Sequence, residues 1–165
     1  MASRDDETES VKLSQAASYL LDECRMVLPG VQALFGFQLI AVYNQPFKTL
    51  LGPTEQQLHL VGLLLTALTV AMLMTPAAYH RQAEPHLISR RFLRLSSYLL
   101  TAGMFSLMLS ILLDCYLIAG VLLGSEALSR LLSLGLSGVF LGLWFVLPRV
   151  LRATKPAEDP SQREG

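Results

Sequence analysis

Asp114 is the residue least suited to its surroundings. It stands in the stretch SILLDCYLIAG, residues 110–120, which is otherwise fit for a hydrocarbon solvent. Ser106 and Ser110 precede it at intervals of four, so on a helix the three side chains share one face. A carboxylate with two hydroxyls beside it is a site for a proton or a cation. Ionisable groups inside apolar spans are costly enough to count as functional until shown otherwise. His80, in TPAAYHR at residues 75–81, is a second proton-site candidate, because histidine alone titrates unperturbed near neutrality. Its structural alternative is a helix end: Tyr79 in an interfacial aromatic belt, with His80 and Arg81 against the negative pole of the helix and lipid phosphates.

Other chemistries lack the residues they need. There is no glycine-rich phosphate loop, nucleophile elbow or paired-carboxylate arrangement, so no enzyme is expected. His59, His80 and His86 have no paired metal-ligand spacing, and His59 is expected on the opposite side of the membrane from the other two; no metal site and no cofactor are expected. Cys24 and Cys115 are expected in opposite leaflets, too far apart for a disulfide. Thirteen basic and thirteen acidic residues cancel, which gives no reason to expect a nucleic-acid partner.

The elements that must hold Asp114 follow from the apolar content, 52% of 165 residues, in runs too long for a soluble domain. Four runs are long enough to cross a bilayer whose core takes roughly 20 helical residues: 26–43, 58–79, 95–123 and 128–148. Pro29 falls near the start of the first, as a helix start or a kink. The connections are short, which makes successive helices antiparallel neighbours. The expected fold class is all-α: a polytopic membrane protein with an up-down four-helix bundle. Residues 1–10 are expected to be disordered. Residues 11–25 read as an amphipathic cytoplasmic extension at the interface, since Leu13, Ala17, Leu20 and Cys24 recur at threes and fours. The tail 153–165, rich in proline and charge, is expected to be disordered. No removable signal peptide is expected in the polar first 25 residues.

Lysine and arginine give the orientation. Eleven of the thirteen lie in the N-terminal segment, the middle loop and the tail; only Lys48 and Arg130 lie on the other side. By the positive-inside rule both termini and the middle loop are cytoplasmic. The basic run RRFLR, with Arg90, Arg91 and Arg94, reads as a loop beside a span that binds anionic lipid or a cytoplasmic protein.

Small residues indicate where helices touch. Ser125, Ser129, Ser133 and Ser137 recur every fourth residue, and Gly138 with Gly142 makes a GxxxG pair. Contacts within one bundle are expected, with a homo-oligomer interface as the alternative. Gln32 and Gln38 are six apart, off a common stripe, and each is expected to hydrogen-bond a neighbouring helix. The depth of Asp114 stays open. Tyr98 and Tyr116, 18 residues and about 27 Å apart, suit two aromatic belts and a shallow Asp114; the seven apolar residues 118–124 suit a deeper, desolvated one.

The segments RMVLPGVQALFGFQL, 25–39, and TPAAYHR, with the four spans, resemble a bacterial family of small inner-membrane proteins known only as a domain of unknown function. Some relatives carry a sodium:proton antiporter label. The resemblance implies a bacterial cytoplasmic membrane and the same fold, and it supplies no site residues. Two functions fit the residues. One is ion or proton-coupled transport by an oligomer using Asp114; the other is a noncatalytic membrane subunit that binds lipid or a partner through residues 90–94.

Overall fold

The structure, a computed structural model, describes residues 2–83 and 88–153. His86 and the tail from residue 154 lie outside the described residues. The elements are α1 (Ala2–Tyr43), a short α2 (Gln45–Leu50), α3 (Pro53–Ala83), α4 (Arg90–Leu123) and α5 (Glu126–Leu141), which passes through a π-helical turn (Gly142–Val146) into α6 (Leu147–Ala153). No strand occurs among the described residues. Four helical stretches are long and apolar enough to cross a membrane: Val11–Tyr43, Pro53–Ala83, Arg90–Leu123 and Glu126–Ala153. The chain is an all-α membrane bundle.

The N-terminal part of α1 bears on how the first span packs. The helix begins at Ala2, where a disordered segment was expected, because nothing before Pro29 is a glycine or proline that would break it. Residues 11–25 run without a break into the first span as one helix. Ala17, Cys24, Val31 and Gln38, seven residues apart, form one buried seam running from that segment into the span. A repeat of seven is the signature of helices wrapping at about 3.5 residues per turn. Pro29 neither starts nor stops α1; it sits exposed inside it. Pro76 likewise lies within α3, and such prolines are tolerated where neighbouring helices re-satisfy the backbone.

The basic residues expected in a loop occupy the first turns of α4. Ser89 caps that helix, its side chain accepting from Phe92 N at 3.1 Å, and this starts the helix at Arg90. Gly124 ends it with φ +60°, a conformation open to glycine at little cost, and its N–H returns to Gly120 O. In the fourth span the π turn precedes Pro148, whose ring would otherwise meet the carbonyl four residues back; the Leu147 amide reaches Gly142 O instead.

α3 and α4 make the most extensive pairing, α1 packs on both, and α5 packs along α4. The interior is polar where a soluble protein's would be apolar. Thr66, Thr69, Ser96, Ser110 and Ser129 are among the most deeply buried side chains, while Phe37, Leu122 and Leu134 are exposed. With hydrocarbon outside, apolar burial drives nothing, and small hydroxyl residues that let backbones approach hold the helices together. On α3 the buried positions run His59, Gly62, Thr66, Thr69, Leu73, Pro76, alternating steps of three and four. On α4 they include Phe92, Ser96, Gly103, Ser106, Ser110 and Leu117 on the same period. Three seven-residue seams meet in one core.

Candidate functional site

Where those seams converge near the α2 end of the bundle, Asp114 faces Gln38 of α1 and His59 of α3. Gln38 Nε2 has two hydrogens and two acceptors: Asp114 Oδ2 at 2.6 Å and Ser110 Oγ at 2.9 Å. Ser110 donates its one hydrogen to Gly62 O at 2.8 Å. The contact between Thr66 Oγ1 and Ser110 Oγ, 2.7 Å, therefore has Thr66 as donor, and Ser110 is saturated with one bond given and two accepted. One turn further along α4, Ser106 donates to Leu65 O at 2.9 Å. Gly62 permits this closeness: a Cβ there would lie 3.6 Å from Asp114 Oδ1 and 3.8 Å from Gln38 Nε2.

The histidine is fixed by what it touches. His59 Nε2 lies 3.0 Å from the backbone oxygen of Gln38. A carbonyl only accepts, so Nε2 carries a hydrogen, and Nδ1 is left facing Asp114 Oδ1 at 3.7 Å. That distance is ion-pair contact, beyond a hydrogen bond. The side chains are 9% and 16% exposed, so both groups are mostly out of solvent. With one shared proton the pair is neutral overall, either as imidazolium and carboxylate or as imidazole and carboxylic acid. One proton more makes it cationic; one fewer makes it anionic. Phe47 of α2 packs edge-on to the imidazole, ring centroids 5.1 Å apart. Among the described residues no group of three His, Cys, Asp or Glu side chains is placed to hold a metal.

Gln38, His59 and Asp114 form the polar floor of a cavity of about 740 Å³. Its walls are mainly apolar, among them Phe37, Phe47, Ile111, Leu117 and Leu122, with Asn44 and Cys115 also in the lining. Beyond Asp114, exposed Ile118, Val121, Leu122 and Leu123 carry the apolar surface of α4 on for nine residues, about 14 Å of helix. A shallow placement would put that surface in water.

Of the sequence-derived site residues, Asp114, Ser110 and Ser106 do lie together on α4 against α3. His80 does not join them. It is 21 residues from His59 on the same helix, about 32 Å away, where Phe92 packs on it and on Tyr79 with centroids 5.8 and 5.9 Å apart. Arg81, Arg90, Arg91 and Arg94 are exposed at that same end. Ser129 is fully buried on α4 beside Gly120, and Ser133 and Ser137 are half-buried. Gly138 and Gly142, expected to pack within the bundle, do not: nothing approaches within 4 Å of a Cβ placed on either. At 100° per residue Gly138 points about 180° from Ser129, away from α4. The sequence reading missed His59, Thr66 and Gly62 as site residues. Their signal was the three-and-four alternation of polar and small residues through an otherwise apolar span.

Fold and cluster together define a polytopic helical membrane protein with a buried polar cluster at the floor of a largely apolar cavity. The chain belongs to a family described as Family of unknown function (DUF6328), whose model matches residues 6–148. No curated protein and no solved structure matches it.

Proposed function

We propose that the protein moves ions or protons across a bacterial cytoplasmic membrane as an oligomer, both termini cytoplasmic, with Asp114 and His59 as the group that gains and loses the proton. One observation carries this reading: within a span, a carboxylate and an imidazole with room for one shared proton line an open cavity. Intramembrane pairs of this kind, facing a cavity and braced by hydrogen bonds, are what a proton relay requires. A single bundle of four spans is small for a full pathway. The turned-out Gly138 and Gly142 give a second copy a face where backbones approach closely.

The test is purified protein in liposomes with a pH-sensitive dye inside. The parent chain moves protons in response to an imposed ion gradient. Asp114→Asn abolishes that movement while expression, size on a native gel and helix content hold. An Asn variant that moves protons like the parent removes Asp114 from the role.

A second reading is favoured by Arg91 and Arg94, which are exposed in the first turns of α4. Cations at a helix N-terminus oppose the dipole, so their position suits an external anion, such as lipid phosphate or an acidic partner. In that reading the protein is a noncatalytic membrane subunit. It predicts a co-purifying partner, or binding to anionic vesicles lost in Arg91→Gln/Arg94→Gln, with no flux from the protein alone.

A further inference from the structure

The floor of the cavity has more acceptors than donors. Gln38 spends both amide hydrogens on Asp114 and Ser110, and its own Oε1 is buried with no hydrogen-bond partner among the described residues. His59 spends its Nε2 hydrogen on a backbone carbonyl, which leaves Nδ1 as an acceptor whenever the shared proton is absent. Asp114 Oδ1 has only that imidazole, at 3.7 Å. Gln38 and His59 are 4% and 7% exposed, and both line the cavity with Asp114. A bare acyl chain would satisfy none of these atoms, and an anion would add to the imbalance. The fitting occupant has an apolar body for the walls and a cationic head with N–H donors for the floor.

We infer that the cavity bounded by Gln38, His59 and Asp114 binds an amphipathic primary amine, its ammonium on the Asp114 carboxylate and its apolar body between α1, α2 and α4. The inference rests on reading His59 and Asp114 as the proton site, and it names what exchanges with the proton. The cavity, about 740 Å³, is in the range of drug-sized ligand sites. The charges balance: the neutral pair holds one proton, the entering ammonium brings one positive charge, and the complex of carboxylate, neutral imidazole and ammonium is again neutral. One proton leaves for each amine bound. Around Asp114 the facing titratable groups are His59 of α3 and the Cys115 thiol of α4; α1 and α2 contribute no charged side chain to the lining.

The test uses the full chain in detergent and three probes with one apolar body: 4-phenylbutylamine, 4-phenylbutan-1-ol and 4-phenylbutyrate, titrated calorimetrically. Expected is binding of the amine about ten- to a hundred-fold tighter than the alcohol, the worth of hydrogen bonds to a charged group, and no binding of the carboxylate. Asp114→Asn erases the preference, and Ala41→Trp, on the cavity wall, blocks all probes. Equal affinity for amine and alcohol overturns the inference, as does a preference that survives in Asp114→Asn. The parent-chain series decides even where a variant fails to fold. Repeating it in nanodiscs separates two sources of the same head group. Amine binding suppressed by phosphatidylethanolamine but not by phosphatidylcholine identifies the lipid ammonium; equal binding in both identifies a soluble amine. Proton flux without amine binding sinks this inference alone, and amine binding without flux sinks the transport reading alone.

Discussion

Removing the Ser110 hydroxyl and removing the Gln38 amide are unequal perturbations of the same cluster. In Ser110→Ala, Thr66 turns its hydrogen to Gly62 O, already 3.2 Å away, and Gln38 keeps Asp114. The expected loss is about 0.6 kcal/mol and under about 2, the range of hydrogen bonds between membrane helices. In Gln38→Leu, Asp114 Oδ2 loses its donor inside the bundle. An unsatisfied buried group costs about 1–3 kcal/mol, more when charged. Thermal midpoints in detergent should fall in the order parent, Ser110→Ala, Gln38→Leu; the opposite order of the two variants would show that Ser110, not Gln38, holds the cluster. Gly62 adds a graded case. Gly62→Ala places a methyl at ordinary contact distance from Asp114 and is tolerated, whereas Gly62→Leu overfills the site at about 1–3 kcal/mol. Equal midpoints for these two variants would contradict the close approach. At this scale the sequence was partly readable. Asp114 announced itself by its setting, and Gln38 was expected to bond a neighbouring helix, as it does. His59 was hidden, because its partner is 55 residues away and nothing local to either residue encodes which faces meet.

Among the elements, α5 separates what spacing predicts from what it leaves open. Its serines and its glycine pair both read as packing motifs, yet only Ser129 is deeply buried, and Gly138 lies on the opposite side. The helical wheel contained that angle; it did not contain which side faces α4. Ser129→Leu should therefore drive α5 off α4 and lower the thermal midpoint of the monomeric species by several degrees, since overpacking costs about 1–3 kcal/mol. Gly138→Leu should leave the monomer as stable as the parent and act only on size on a native gel, if copies associate there. A monomer destabilised as much by Gly138→Leu as by Ser129→Leu would mean that α5 is rotated from the arrangement described. The span count and the short connections were plain in the apolar runs. The first helix was harder, because polar residues before 26 masked a seam that only the seven-residue spacing of Ala17, Cys24, Val31 and Gln38 reveals.

For the whole molecule, orientation decides which compartment the cavity faces. The cavity lies at the α2 end, and His80, Arg81 and the arginines of α4 lie at the other. Arg81, Arg90, Arg91 and Arg94 are exposed at that end, and of the thirteen basic residues only Lys48 of α2 and Arg130, in the first turns of α5, fall on the α2 side. Each arginine forced through the membrane centre costs about 2.5–3.5 kcal/mol on insertion scales, so the basic end is the one that the positive-inside rule expects in the cytoplasm. The expected arrangement opens the cavity away from the cytoplasm, so that in the proposed transport Asp114 exchanges first with the outer compartment, about 32 Å along α3 from His80 at the opposite end. Single cysteines introduced into a chain carrying Cys24→Ser and Cys115→Ser read this directly. An impermeant maleimide added to intact cells should label Thr49→Cys, which is exposed on α2, and leave Gln82→Cys and Ala153→Cys unlabelled until the cells are opened. Labelling of Gln82→Cys with protection of Thr49→Cys would invert the molecule, put the cavity on the cytoplasmic side, and require any proton taken up at Asp114 to come from within.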